Sequence, residues 1–245
     1  MTKIGIIGGS GLDDPGLLKN FSEVTVETPY GKPSSKLTTG HINNVSVVIL
    51  ARHGKHHEFP PSQVNYRANI WALKQAGCTH ILATTAVGSL REHIPPGCIA
   101  LPNQCIDFTK HRKTTFHEDK VVHTSMSDPF DINLRNLLAT GASELKISAV
   151  RDVTVITIEG PRFSTRAESH MFRAWGADII NMSTCPEVFL ANELKIPYQN
   201  IAMSTDYDCW KTDEKPVTFE MVLERMKQNA DKVKKLIVHI LPRIQ

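Results

Sequence analysis

Short aliphatic and β-branched runs recur along this chain, separated in several places by stretches whose apolar positions return every three or four residues. The runs are KIGIIG (3–8), VSVVILA (45–51), HILATTA (80–86), VTVITIEG (153–160), ADIINMS (177–183) and QNIAMST (199–205). Nearly unbroken apolar runs of this length predict strands buried on both faces. SQVNYRANIWALKQAG sets Val64, Ala68 and Trp71 at i, i+4 and i+7 and stops at Gly77, which predicts a helix with a glycine C-cap. In TCPEVFLANELK, Thr184 and Glu187 stand at capping-box spacing with Pro186 in the first turn. In TIEGPRFSTRAES a Gly-Pro step ends a strand, and Ser164 or Thr165 caps a helix opened by Arg166 and Glu168. Positions 218–241 carry Val222, Met226, Val233, Ile237 and Leu241 at helical spacing, a long closing helix. With no repeat, low-complexity segment or linker, the pattern predicts one α/β domain over residues 1–245, helices packed around a mostly buried sheet.

Composition adds exclusions more than identity. The 245 residues are 41% hydrophobic and 22% charged, with a net charge of +3. The one dense basic stretch, 110–113, is short and lacks interleaved aromatics, which argues against nucleic-acid binding. No apolar stretch approaches the roughly 20 residues of a membrane helix. The start MTKIGIIGGSG runs directly into a strand, without the pattern of a secretory leader. Cys78, Cys98, Cys105, Cys185 and Cys209 form no C-x-x-C pair, which suits reduced, small buried thiols in a cytoplasmic protein.

Candidate chemistry gathers just after the strands. IIG leads into Gly8-Gly9-Ser10-Gly11, VVILA into Arg52-His53, ILAT into Thr85-Ala86, IINM into Ser183-Thr184, and IAMST into Asp206 and Asp208. Ligands of open α/β sheets sit at the carboxyl ends of strands, so these positions outline a pocket with an anion end and an acidic end. The glycine turn matches neither the dinucleotide nor the P-loop pattern and reads equally as a tight turn. Arg52 offers a planar fork for phosphate oxygens and His53 a further donor, against a plain solvated strand end. HGKHH has no acidic partner at metal-ligand spacing and reads as solvated loop histidines. Continued alternation would turn Asp206 and Asp208 the same way, roughly 6–7 Å apart. A metal site, an acid–base pair of a hydrolase, and recognition of an aminopurine all fit that pair, besides a surface turn. In TIEGPRF, Phe163 is an aromatic suited to stacking on a flat ring, with Glu159 in the same turn, against an ordinary helix entry.

Together GIIGGSGLDDP, LARHGKHH, VNYRANIWALK, TTAVGSLRE, TIEGPRFSTRAES, INMSTCPE and STDYDCWK resemble the 5′-methylthioadenosine phosphorylases of the trimeric purine nucleoside phosphorylase superfamily. The likeness runs in order from about residue 3 to about residue 244. It implies a central mixed β-sheet closing towards a barrel, flanked by helices. It also implies phosphorolysis of S-methyl-5′-thioadenosine to adenine and 5-methylthio-α-D-ribose 1-phosphate, in purine and methionine salvage. No metal or organic cofactor is implied; inorganic phosphate is the co-substrate, and the assembly is a homotrimer or a hexamer. Carried over by position, Ser10, Arg52, His53, Thr85, Ala86 and Ser183 resemble the phosphate binders and Met182 the ribose contact. Asp206, Tyr207 and Asp208 resemble the base readers. Phe163 and Ser164 line the purine pocket, Phe219 and Val222 lie near the 5′ group, and His123 resembles a residue lent by a neighbouring subunit.

In this reading protonated Asp206 donates to N7 of the leaving purine, and ionised Asp208 accepts from the 6-amino group. Crowding by a second carboxylate and a partly dry pocket would hold the Asp206 proton. An acceptor-only carboxylate facing O6 of a 6-oxopurine would stay unpaired, and related enzymes for such bases carry Asn there. Two departures from the family stand out. GGSG replaces the usual GGTG, and eukaryotic members continue past the equivalent of Gln245, which predicts a more open 5′ pocket here. The rival functions are a phosphorylase of broader purine nucleoside specificity, a nucleosidase that uses water, and a non-catalytic purine-binding module.

Overall fold

A computed structural model describes residues 2–8, 18–213 and 218–245. Its strands, in chain order, are β1 (Lys3–Gly8), β2 (Lys19–Val24), β3 (Leu37–Ile42), β4 (Val45–Ala51), β5 (His80–Ser89), β6 (Ile99–Phe108), β7 (Ala149–Ile158), β8 (Ile179–Asn181) and β9 (Tyr198–Asp206). The helices are α1 (Tyr66–Gln75), α2 (Ile132–Glu144), α3 (Arg166–Ala174), α4 (Thr184–Glu193) and α5 (Phe219–Ile240).

The strands form one mixed sheet in the order β2-β3-β4-β1-β5-β8-β7-β6-β9, and a further pairing of β9 with β5 closes the last five into a ring. Closure is the barrel that the resemblance implies. β4, β1, β5 and β9 are mutually parallel, so Arg52, which follows β4, and Asp206, which ends β9, lie at the same edge. β8 runs antiparallel to β5, with Gly88 opposite Ile180. Continuing that register by three residues brings Ser183 beside Thr85.

Alternation along β4 explains how the sheet is covered. Val48 and Leu50 join a cluster with Tyr66, Ile70 and Leu73 of α1 and Val188, Leu190 and Ala191 of α4. Val47 and Ile49 face the other way, towards Leu134 and Leu138 of α2 and Val233, Leu236 and Ile237 of α5. α2 and α5 approach closely at Gly141, where a Cβ would stand 2.7 Å from Ile240. In α1 the buried residues are Tyr66, Ala68, Asn69, Ile70, Ala72 and Leu73; Trp71 sits at the margin, edge-on against Tyr30. Gly77, at φ +81, follows that helix as predicted. α5 begins at its Thr218 N-cap and buries Met226, Val233 and Ile237 on one stripe.

α4 departs from the predicted capping box. Cys185 inside its first turn is non-helical (φ −98°, ψ 132°), and the Glu187 carboxylate does not turn back to cap the helix. It is buried against Arg52 instead. The capping box lies in α3, where Thr165 and Glu168 satisfy each other's backbone N–H groups.

Candidate active site

A cavity of about 400 Å³ opens where the ends of β4, β5, β8 and β9 meet the start of α5. Arg52, His53, Thr85, Ala86, Met182, Ser183, Phe163, Ser164, Asp206, Asp208, Phe219 and Val222 all line it. Residues dispersed over 170 positions of sequence are thus brought together by the ring closure (52 to 222). Gly9, Ser10 and Gly11 of the glycine turn lie outside the described residues.

At one end Thr85 Oγ1 and Ser183 Oγ are 2.9 Å apart, the contact the β5–β8 register implies. Asn181 Nδ2 donates to Thr85 Oγ1 (3.2 Å) and to Thr184 Oγ1 (2.6 Å), while its own Oδ1 accepts from Thr157 (2.9 Å). This buried amide therefore orients the hydroxyls that face the cavity, a role the sequence pattern does not reveal.

Arg52 is 1% exposed and its fork is not wholly free. Nε and one terminal nitrogen hold both oxygens of Glu187 (2.8 and 2.9 Å), and the other terminal nitrogen reaches Thr84 O (2.7 Å). Tyr198 OH donates to Glu187 Oε1 at 2.7 Å. A guanidinium has five N–H groups, so two remain for an anion. Burial opposes the Arg52 charge, but Glu187 outweighs burial and the guanidinium stays protonated.

His53 differs from the donor that the sequence suggests. Its Nδ1 faces Phe59 O at 2.9 Å and therefore carries the proton. Burial, and after it the Arg52 charge, lowers its pKa to about 4. Near pH 7 the ring is neutral and Nε2 offers a lone pair rather than an N–H. His57, grouped in the sequence with solvated loop histidines, also lines the cavity; its ring stacks 4.7 Å from His53 and is tilted 50° to that of Phe219 at 5.9 Å.

At the acidic end, β9 stops at Asp206, and Asp208 sits in left-handed backbone (φ 52°), so simple alternation does not carry across the pair. A register shift between Val87 and Gly88 inserts an extra β9 residue and sets Asp206 opposite Gly88. Bulges of this kind re-aim side chains. Asp206 Oδ1 accepts from the Asp208 N–H (2.8 Å) and Oδ2 from Thr205 Oγ1 (2.7 Å). Ser164 Oγ lies 2.7 Å from both oxygens of Asp208. Burial raises the Asp206 pKa to about 6, and the neighbouring Asp208 charge adds the smallest contribution. Of the two expected causes, the partly dry pocket thus outweighs the crowding of two carboxylates in holding the proton. Burial raises Asp208 as well, opposed by hydroxyl hydrogen bonds.

Two candidate residues fall elsewhere. Tyr207 does not line the cavity: its hydroxyl reaches Glu92 O (3.3 Å) and its ring stands edge-on to Trp210. With Asp206 facing the cavity, alternation along the extended chain puts the next side chain on the opposite face. His123 is exposed and lies outside the cavity of its own chain. Glu159 pairs with Arg112 instead of facing the cavity.

A sequence model of the phosphorylase superfamily matches residues 3–242. The chain belongs to the phosphorylase superfamily. Within it, the chain is 52% identical over 248 residues to the S-methyl-5′-thioadenosine phosphorylase of Drosophila melanogaster, covering 99% of this chain and 86% of the relative. The Danio rerio protein of the same name is 53% identical over 248 residues, covering 99% and 89%. Among solved structures, the methylthioadenosine phosphorylase of Schistosoma mansoni, bound to adenine, superposes with a TM-score of 0.95 at 42% identity, covering 99% of this chain and 92% of that one. For this superfamily member, the comparisons agree with the resemblance in its motifs and with the closed sheet. Among the described residues no group of three or more His, Cys, Asp or Glu could hold a metal ion, and no helix is long and apolar enough to cross a membrane.

Proposed function

We propose that this chain splits S-methyl-5′-thioadenosine with inorganic phosphate, giving adenine and 5-methylthio-α-D-ribose 1-phosphate. One observation carries the reading. A carboxyl that holds its proton to about pH 6 shares a cavity with a buried arginine and two hydroxyls. One end suits a leaving purine and the other an attacking oxyanion.

Phosphate binds against the two spare N–H groups of Arg52, the Thr85 and Ser183 hydroxyls and the Ala86 backbone, with Ser10 completing the cradle. Neutral His53 accepts the hydrogen of hydrogen phosphate at Nε2. An unprotonated phosphate oxygen is thereby left to attack C1′. Met182 contacts the ribose, Phe163 lies over the base, and His57, Phe219 and Val222 surround the 5′ substituent. As the C1′–N9 bond breaks, its electron pair enters the purine and Asp206 transfers its proton to N7. Such general acid catalysis is typically worth ~10²–10⁴-fold. Asp208, held by Ser164, accepts from the 6-amino group. The chemistry asks for no metal or organic cofactor. We propose, in line with the motif resemblance, that the released adenine and sugar phosphate feed purine and methionine salvage in the cytoplasm.

A homotrimer fits the exposed position of His123, which would then close a neighbour's cavity; Val121, two residues before it, is 83% exposed. Adenine release from methylthioadenosine, measured with and without phosphate, tests the function. Release only with phosphate supports it; equal release in water alone makes the chain a nucleosidase, and binding without turnover makes it a purine-binding module.

A further inference from the structure

The basic run 110–113 turns inward at one position. Arg112 is 2% exposed in its side chain, with its guanidinium 5.0 Å from the centre of the Tyr66 ring. Its Nε donates to Glu159 Oε1 (3.0 Å). One terminal nitrogen donates to Met182 O (2.8 Å), Cys185 O (2.7 Å) and Tyr66 OH (3.0 Å), and the other to Glu159 O (2.6 Å) and Ile158 O (3.4 Å). Every nitrogen is thus engaged by the protein, unlike Arg52, and Arg112 does not line the cavity. Four of its acceptors are main-chain carbonyls on two segments, the end of β7 and the turn between β8 and α4.

That turn is irregular and is held by side chains. Ser183 (φ −132°, ψ −19°) and Cys185 (φ −98°, ψ 132°) are outside helical geometry; Arg112 takes the Met182 and Cys185 carbonyls, and Thr157 Oγ1 accepts from the Cys185 N–H at 3.2 Å. Yet the turn carries Met182 and Ser183, which line the ribose and phosphate part of the cavity. The Tyr66 hydroxyl also stands 3.3 Å from Met182 O. Only a planar group with five donors can bridge this many carbonyls from one point. The base end is built differently, from Gly88, Ser164 and the β9 bulge, and Arg112 touches none of it.

We propose that Arg112 is a positioning residue for the phosphorolysis above, on which this inference rests: it clamps the β8–α4 turn to β7 and so sets Ser183 and Met182 in register with Thr85 and Arg52. Its loss loosens the phosphate and ribose end and spares the purine end. The test measures binding of inorganic phosphate and of adenine separately by calorimetry, with KM and kcat for both substrates and thermal unfolding, on Arg112→Met and Arg112→Lys. Arg112→Met should weaken phosphate binding and raise its KM about 10–100-fold, the cost of a small misplacement. Adenine affinity should stay within about twofold, because the two ends share no contact. Arg112→Lys, whose ammonium can still bridge two of the carbonyls, should recover part of the loss, and it carries the measurement if the methionine variant does not fold. Unchanged phosphate affinity and KM in the folded variants, or equal losses at both ends, overturns the proposal. No phosphate-dependent turnover by the unsubstituted chain would instead overturn the functional reading, while the two binding measurements still decide the role of Arg112.

Discussion

Glu187 grips Arg52 with both carboxylate oxygens across 135 positions of sequence, and neither side chain is more than 1% exposed. The pair fixes where an anion can be met. With its Nε edge spent on Glu187, Arg52 can turn only its remaining N–H groups to phosphate.

Glu187→Gln keeps the size and one acceptor but leaves the arginine charge buried without its partner. Breaking such a pair should cost about 3–5 kcal/mol of stability, read as a shift in the urea unfolding midpoint. In the folded fraction the phosphate KM should rise while the adenine affinity stays unchanged. Equal stability of variant and parent would contradict the pairing.

The raised Asp206 pKa has a definite sign in stability. Between its ordinary value of 3.8 and about 6 the unfolded chain ionises this carboxyl while the folded chain retains the proton. The folded state therefore binds more protons there, and the Asp206 contribution falls as pH rises through this window and then levels off. Asp206→Asn should be more stable than the parent above pH 6, by at most about 3 kcal/mol, with the advantage fading towards pH 4. Unfolding midpoints of the two proteins across pH 4–8 check this. In activity, kcat/KM for methylthioadenosine at saturating phosphate should decline above the same pKa as the proton is lost.

Gly88 is the place where β5 leaves room for the acid. A Cβ there would lie 3.0 Å from Asp206 Oδ1 and 3.0 Å from Ile180 Cγ2. Gly88→Ala should lower kcat/KM by about 10–100-fold through displacement of Asp206, with phosphate affinity nearly unchanged. Steady-state kinetics with each substrate varied in turn would show the split.

Much of the frame is legible because β1, β4, β5 and β9 are buried on both faces and leave unbroken apolar runs. β2 is not, since all six of its residues are exposed. β6 is hidden by Pro102, which sits at two register shifts against β7 and breaks the periodic pattern. α2 contains Gly141, a poor helix former kept for close approach to α5. At the site, residue types after strand ends mark Arg52, Thr85, Ser183 and Asp206. What they bond to comes from distant segments, so Glu187 reads as a cap, Arg112 as one member of a short basic run and His53 as a donor. Tyr207 shares a motif with two site residues, yet alternation after Asp206 sends its ring to the opposite face.

The central claim is that a protonated Asp206 meets N7 while Asp208 meets an amino group. The most direct measurement compares kcat/KM for inosine and methylthioadenosine in the parent and in Asp208→Asn. An amide at 208 can donate to O6 of a 6-oxopurine, where an ionised carboxylate only accepts, so the ratio should move towards inosine while methylthioadenosine turnover falls. A variant that loses both substrates in equal proportion, or keeps methylthioadenosine turnover intact, would contradict it.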